Sequence, residues 1–142
     1  MAVGVALAAN TQTSALSTIF VTCLLNSPRL SSLLKTNSHR LSVAYGALTG
    51  FFREQGIPYF PCNAGLYVFA RLAPHASTWE DESAVIQKLK EAGVLVSAGR
   101  AYHVPETEKG WARVGFALEP SVLEEAIRRM KTVFTSTMNG HA

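Results

Sequence analysis

The chain has 142 residues, the size of one ordinary domain, and 48% of them are hydrophobic while 16% are charged. That balance favours a globular domain with a packed core over a disordered segment. The net charge of +3 is spread along the chain without a basic stripe interleaved with aromatic residues, which argues against nucleic acid as a partner. No apolar run is long enough to span a membrane, and neither the cysteines nor the histidines have metal-ligand spacing.

The beginning of the chain predicts a helix rather than a leader sequence. Residues 1–9 are small and apolar, but they lack the basic start of a signal peptide and polar residues follow them, so we expect a cytoplasmic protein. Helical spacing of apolar side chains predicts a buried helix over residues 5–25. Its apolar positions are Leu16, Ile19, Phe20, Cys23 and Leu24. Asn26-Ser27-Pro28 is expected to end it.

A longer helical pattern follows, from residue 29 to residue 55, with polar side chains on one side and apolar ones on the other. The apolar positions are Leu30, Leu33, Leu34, Leu41, Ala44, Tyr45, Leu48 and Phe52. Gly56 is suited to the position just after the helix, because glycine readily adopts the left-handed conformation found there. Ile57-Pro58-Tyr59 then predicts an extended segment.

Two further helices are predicted. One follows Thr78, with Asp81 in the third place of a capping box, an apolar stripe at Val85, Ile86 and Leu89, and Gly93 as its end. Its acidic first turn, Glu80 to Glu82, is explained by the helix dipole without a catalytic role. The other begins at Pro120, with Ser121 and Glu124 as a capping box. The apolar face of this last helix consists of Leu123, Ala126, Ile127, Met130 and Phe134.

Three strands are predicted at residues 66–72, 94–97 and 112–117, with a loop at 98–110. No helix separates the last two strands, so the sheet must be at least partly antiparallel. The element order is therefore α-α-β-α-β-β-α. This order predicts an α+β fold, a two-layer sandwich in which helices pack on a small mixed or antiparallel sheet.

Arg113 is the side chain best suited to bind a ligand. Strand alternation predicts two opposite faces, with Ala112, Val114 and Phe116 on one and Arg113, Gly115 and Ala117 on the other. Neighbours as small as glycine and alanine leave room beside the arginine, and the paired N–H donors of guanidinium match a carboxylate. The pattern alone favours the alternative, a strand arginine that faces solvent without a ligand.

Two loops could contribute to such a site. Tyr102 and His103, which follow the turn residue Gly99, could hydrogen-bond near a ligand. Asn63-Ala64-Gly65 is a turn by composition, and it could present an amide side chain and bare backbone to a substrate. Taken singly, each of these is more simply an ordinary loop segment.

Three segments together resemble one family. The stretches NAGLYVFARL at residues 63–72, GVLVSAGRAYH at 93–103 and WARVGFA at 111–117 occur in the order and spacing of the C-terminal part of class I/II aminotransferases. The most similar subgroup is the 1-aminocyclopropane-1-carboxylate (ACC) synthase-like proteins, including fungal members, which the NTQ at residues 10–12 also fits. The resemblance extends over nearly the whole chain.

The resemblance implies the small domain of a fold-type I enzyme that acts on α-amino acids, binds pyridoxal 5'-phosphate (PLP) through a lysine and forms a homodimer. Arg113 corresponds to the arginine that binds the substrate α-carboxylate in that family, which reverses the balance in favour of a ligand. Asn63, Ala64 and Gly65 correspond to a segment that lines the substrate pocket. Ala98 replaces the proline that usually precedes the turn glycine, so a looser loop is expected there.

The same resemblance divides the chain into three parts. Residues 1–28 would be a helical segment from the large domain or a connector, residues 29–136 the small domain and residues 137–142 a frayed tail. The family's cofactor lysine precedes the first helix, and the lysines of this chain do not match its position. We therefore expect the chain alone to be inactive, and its sequence does not choose among transamination, ACC formation and β-elimination. The alternatives are a partner-binding domain and a truncated remnant without function.

Overall fold

A computed structural model describes residues 14–105 and 107–138 of the chain. The residues from 5 to 13, which were predicted to begin the first helix, lie outside the described residues, as do the NTQ motif and residues 139–142. The observed elements are α1 (Ala15–Leu25), α2 (Leu30–Glu54), β1 (Tyr67–Arg71), α3 (Trp79–Glu91), β2 (Ser97–Ala98), a 3-10 turn (Gly99–Tyr102), β3 (Trp111–Gly115) and α4 (Pro120–Met138). The predicted order of helices and strands is therefore confirmed.

The chain divides into two compact units, residues 1–39 and residues 40–142. The boundaries predicted at residues 28 and 136 stay a prediction. No described helix is long and apolar enough to cross a membrane.

Helix α1 lies in the first unit and ends at Leu25, just before the predicted breaker. The expectation that it is buried was wrong, because α1 has no buried residue and Leu16 is 78% exposed. Leu33 and Leu34, on the predicted apolar face of α2, are exposed as well. Helical spacing shows which side chains share a face, but it does not show whether the chain supplies a surface to cover them.

The second unit contains a three-stranded antiparallel sheet in the order β1-β3-β2, so β3 is paired on both sides. The extended segment predicted after Gly56 runs beside the free edge of β1. There the N–H of Arg71 donates to the carbonyl of Pro58 at 2.8 Å, and Tyr59 bridges to Ala70. The backbone of β3 is therefore held in the middle of the sheet.

One face of this sheet and three helices form the core. Val68 and Ala70 of β1 and Ala112 and Val114 of β3 point into it, since side chains alternate along a strand. The helices contribute buried side chains from one face each, namely Leu48, Phe51, Phe52, Leu89, Leu123 and Met130. Each such large apolar side chain contributes about 1.5–3 kcal/mol when fully buried. Helices therefore cover one face of the sheet, and the predicted two-layer α+β fold is confirmed.

The strand predicted at residues 94–97 was misplaced, since β2 consists of Ser97 and Ala98 only. The reason is the way α3 ends: the N–H of Gly93 donates to the carbonyl of Lys90 at 2.9 Å, and the N–H of Val94 to that of Leu89 at 2.8 Å. This helix-end motif uses the N–H groups of Gly93 and Val94, so Val94 cannot donate a hydrogen bond to a neighbouring strand. Val94 is buried in the core, but it lies in the connection between α3 and β2 and is not part of the sheet.

The two predicted capping boxes had different outcomes. The box of α3 is confirmed, because Asp81 N–H donates to Thr78 Oγ1 at 3.1 Å and Thr78 N–H donates to the Asp81 carboxylate at 2.9 Å. The box predicted for α4 was wrong, because the helix begins at Pro120 and the Ser121 hydroxyl hydrogen-bonds to the carboxylate of Glu119. Proline suits the first helical position, where its missing N–H would have had no partner.

Candidate functional site

The two faces of β3 differ as the sequence predicted. Ala112, Val114 and Phe116 are buried against the helices, whereas Arg113 and Gly115 are half-buried on the opposite face. Phe69 of β1 and Ser97 of β2 are the residues paired with Arg113 on either side. The guanidinium therefore rises from the middle of the sheet on the face that the helices leave free.

Two tyrosine rings pack against this guanidinium. Its central carbon lies 4.2 Å from the ring centroid of Tyr67 and 4.6 Å from that of Tyr102, distances typical of cation–π contacts. Tyr102 also meets Phe69 edge to face, with 5.5 Å between ring centroids. The neighbours of Arg113 on its own strand are small, as predicted, but rings from β1 and from the 3-10 turn flank it.

The donors of Arg113 have no acceptor within residues 14–105 and 107–138. The ion pairs found in that part of the chain are made by Arg128 and Arg129 with Glu125 and by Lys131 with Glu54. No buried side-chain nitrogen in the same residues lacks a hydrogen-bond partner, so the nitrogens of Arg113 must reach solvent. The result is a cation held by aromatic contacts whose N–H groups remain available.

A glycine allows the 3-10 turn to approach β3. A Cβ on Gly99 would lie 2.6 Å from the carbonyl oxygen of Trp111, closer than non-bonded atoms approach. Because Gly99 has no side chain, the turn fits against the strand and brings Tyr102 to Arg113. His103 follows in a left-handed conformation, with φ of 56°, and is exposed.

The start of β3 is held by a buried carboxylate, Glu82, whose burial was not predicted from the sequence. Glu82 is 2% exposed, and its Oε2 accepts the N–H of Gly110 at 2.8 Å. Gly110 has φ of 90° and lies directly before Trp111, the first residue of β3. The acidic first turn of α3 was attributed to the helix dipole. However, Glu82 lies three and seven residues before Val85 and Leu89, in the apolar stripe, and this spacing was a usable sign of burial.

The predicted pocket segment is an exposed turn. Asn63, Ala64 and Gly65 are all exposed, with φ of 91° at Gly65, and the chain reaches Tyr67 two residues later. The segment is therefore close along the chain to a residue that contacts Arg113. Its role in substrate binding stays a prediction.

Other aromatic and basic side chains contact one another near the sheet. The rings of Phe60 and Trp111 are stacked, with 4.6 Å between centroids and an angle of 20°. The Arg100 guanidinium carbon and the Lys109 Nζ lie 5.4 and 5.2 Å from the ring centroid of Trp79. No local sequence pattern predicts these contacts, because their partners are separated by 21 to 51 residues along the chain.

The clearly shifted pKa values belong to helix caps and helix ion pairs rather than to this face of the sheet. Hydrogen bonds from Thr78, and then from Ser77, lower the pKa of Asp81 from 3.8 to about 2. Hydrogen bonds from Arg128, and then from Arg129, lower the pKa of Glu125 from 4.5 to about 2. Both are explained by local structure and do not indicate an acid or base for catalysis.

Comparison with known proteins assigns the family. The family model of class I and II aminotransferases matches residues 3–130. A protein of Aspergillus oryzae described as the probable aminotransferase aclI is 57% identical over 133 residues, covering 94% of this chain and 32% of that protein. A mouse protein described as a probable inactive 1-aminocyclopropane-1-carboxylate synthase-like protein 2 is 31% identical over 68% of this chain and 17% of that protein. The chain thus spans about a third of the length of its fungal relative.

Solved structures agree on the fold. A mutant aspartate aminotransferase of Thermus thermophilus aligns with a TM-score of 0.65 at 21% identity, over 78% of this chain and 29% of that chain. An aromatic aminotransferase of Pyrococcus horikoshii aligns with a TM-score of 0.62 at 24% identity, over 81% of this chain and 30% of that chain. At these identities the likeness establishes the fold alone, and this agrees with the predicted small domain of a fold-type I enzyme. With the family match over residues 3–130, the chain belongs to the class I and II aminotransferases.

Proposed function

We propose that this chain is the small-domain part of a PLP-dependent enzyme acting on α-amino acids, and that Arg113 binds the substrate α-carboxylate. The observation that carries the proposal is that the guanidinium of Arg113 is partly buried and has no hydrogen-bond acceptor among the described residues. The aromatic rings of Tyr67 and Tyr102 pack against it. Gly115, two residues further along the same face, adds no side chain beside it.

The chemistry of a guanidinium explains why a carboxylate is the expected ligand. Its planar set of N–H donors matches the two oxygens of a carboxylate, and such charge-assisted pairs are stronger than neutral hydrogen bonds. Arg113 lies on a strand that is paired on both sides, so its backbone is fixed. The N–H donors of the guanidinium therefore extend from a rigid position. Asn63, Ala64 and Gly65 would line the same substrate pocket from the turn that leads into Tyr67.

The residues of this chain do not fit the cofactor itself. Intact enzymes of the family hold PLP on a lysine, and the lysines here are exposed on helices or lie in a loop. They are Lys35, Lys88, Lys90, Lys109 and Lys131. Lys131 Nζ pairs with Glu54 at 2.8 Å, and Lys109 Nζ lies over the Trp79 ring. The cofactor lysine would then lie outside residues 1–142, and the chain alone would not turn over amino acids.

The intact enzyme would be a homodimer with an α-amino acid as substrate. Which amino acid it uses, and whether the reaction is transamination, ACC formation or elimination, depends on groups that this segment does not provide. Its own contribution is to bind and orient the substrate carboxylate, because holding a reactant in one geometry lowers the entropic part of the barrier.

The test is an NMR titration of the chain, labelled with ¹⁵N and observed at the arginine Nε–H signals. Arg113 is assigned by the signal that disappears in Arg113→Lys, and acetate is the probe. We expect the Arg113 signal to move with saturation, and the movement to be absent in Arg113→Gln. Arg128, which is exposed and pairs with Glu125, is the matched internal control and should move no more than a salt titration moves it. If Arg113 responds only as Arg128 does, the carboxylate role is refuted.

Exposed apolar side chains favour a second candidate, a partner-binding domain without catalytic function. Leu16, Ile19 and Phe20 of α1 are all exposed, and contiguous exposed apolar surface is uncommon on monomeric proteins. Sedimentation equilibrium over a range of chain concentrations tests this candidate. Self-association that Phe20→Ser weakens supports it, while a monomer at high concentration removes its basis.

A further inference from the structure

The surroundings of Arg113 indicate how the guanidinium is held. Tyr67 lies on β1 and Tyr102 in the 3-10 turn after β2, so one ring comes from a strand that flanks β3 and the other from the turn that follows the opposite flanking strand. Both ring centroids lie within 4.6 Å of the guanidinium carbon. Neither ring offers a strong acceptor through its face, so the contacts hold the group without using its N–H donors.

Ring contacts of this kind also restrict the shape of an incoming anion. An arginine stacks its plane on aromatic faces, and it donates hydrogen bonds within that plane. A carboxylate that takes two of these bonds lies in the same plane. A tetrahedral anion such as a sulfonate places a third oxygen out of the plane, toward the ring faces, and those faces carry partial negative charge.

We infer that Tyr67 and Tyr102 are positioning residues, which hold the Arg113 guanidinium edge-on to its ligand and make the site select planar carboxylates over tetrahedral oxyanions. The inference rests on the proposed carboxylate-binding role of Arg113. To that role it adds two residues, Tyr67 and Tyr102, that orient the guanidinium, and one class of anion, the tetrahedral oxyanions, that binds less tightly because of them. Neither tyrosine touches the ligand's reacting atoms, and both act through Arg113.

The test compares two probes of equal charge, acetate and methanesulfonate, in the NMR titration of the full chain. The wild-type chain should bind acetate about tenfold more tightly, corresponding to about 1.4 kcal/mol of discrimination. Tyr67→Leu and Tyr102→Leu should lower this ratio. Tyr67→Phe and Tyr102→Phe should keep it, because the ring remains. Tyr67 and Tyr102 are 49% and 37% exposed, so these variants should fold.

Phe60→Leu is the matched control for loss of a ring. Phe60 is 58% exposed and stacks on Trp111 rather than on Arg113, so this variant should keep the wild-type ratio. A second readout uses the free wild-type chain and does not depend on the tyrosine variants: ring currents should move the Arg113 Nε–H proton upfield from that of Arg40, an exposed arginine of α2. If that shift is absent, the contacts do not exist in solution and the inference is wrong.

The outcomes separate the two proposals. No saturable response of Arg113 to acetate refutes the carboxylate-binding function itself. Acetate binding with an unchanged probe ratio in both leucine variants leaves that function standing and overturns the inference. Equal loss of the ratio in the phenylalanine and leucine variants assigns the selectivity to the hydroxyls, which also overturns it. Loss in the leucine variants alone, with Phe60→Leu unchanged, supports it.

Discussion

Replacing Glu82 tests whether the start of β3 depends on one buried carboxylate. The side chain is 2% exposed, and Oε2 accepts the N–H of Gly110 at 2.8 Å. Gly110 is buried as well and precedes the strand that carries Arg113. In Glu82→Ala this N–H loses its acceptor in a place that the fold closes to bulk water.

The expected change in the free energy of unfolding follows from the loss of this buried hydrogen bond. A hydrogen bond contributes about 0.5–1.5 kcal/mol, and a buried donor left without a partner costs about 1–3 kcal/mol. We therefore expect Glu82→Ala to lower the free energy of unfolding by about 2–3 kcal/mol. Glu82→Gln keeps an acceptor oxygen for the Gly110 N–H, so its cost should be smaller, about 1 kcal/mol.

Urea unfolding followed by tryptophan fluorescence measures these differences. Trp79 begins the helix that carries Glu82, and Trp111 follows Gly110, so both fluorophores report on this contact. Glu80→Ala is the matched control, because Glu80 is an exposed carboxylate in the same turn and its loss should cost within about 0.5 kcal/mol. If Glu82→Ala unfolds at the same urea concentration as Glu80→Ala with an unchanged slope, the contact does not stabilise the fold as we argue.

Two glycines and one carboxylate give further predictions. Gly110→Ala should destabilise by about 3 kcal/mol or more, because its Cβ would overlap the carbonyl oxygen of Ala73 and its φ is 90°. Gly46→Ala, whose Cβ meets nothing within 4 Å inside α2, should instead stabilise by about 0.5–1 kcal/mol in the same urea assay. The folded-state pKa of Asp81 is lowered, so its stabilisation is present above pH 3.8 and is lost as the pH falls toward about 2. Asp81→Asn should therefore lower the thermal midpoint at neutral pH and flatten its decline over that window, whereas an unchanged acid profile would contradict the assigned cap.

Local sequence signals predicted the helices and strands well, for a physical reason that particular residues illustrate. The Thr78–Asp81 capping box and the ends of α2 and α3 at Gly56 and Gly93 depend on atoms within a few residues of each other. The alternation around Arg113 likewise follows from strand geometry alone. Where a prediction failed locally, as at Ser121, another local device competed: Pro120 took the first helical position.

Contacts between distant segments could not be predicted in the same way. The bond from Gly110 to Glu82 joins residues 28 positions apart, and the two rings on Arg113 arrive from β1 and from the turn after β2. Periodicity identifies the side of a helix or strand on which a residue lies, but it does not identify what lies opposite. The exposure of α1 has the same origin, because an apolar pattern does not say which surface covers it.

The two faces of β3 have different roles, so the stability of the fold and the preference of Arg113 for one anion over another can be changed separately. On the core face, Ala112 and Val114 are packed among helices, so changes there alter the free energy of unfolding. On the other face, the backbone of Arg113 is fixed by pairing on both sides, while its guanidinium is held by the exposed rings of Tyr67 and Tyr102. Truncating a ring should therefore change the preference between acetate and methanesulfonate with little change in stability. Truncating Val114 should do the reverse, because the core supports the strand but does not touch the guanidinium's ligand.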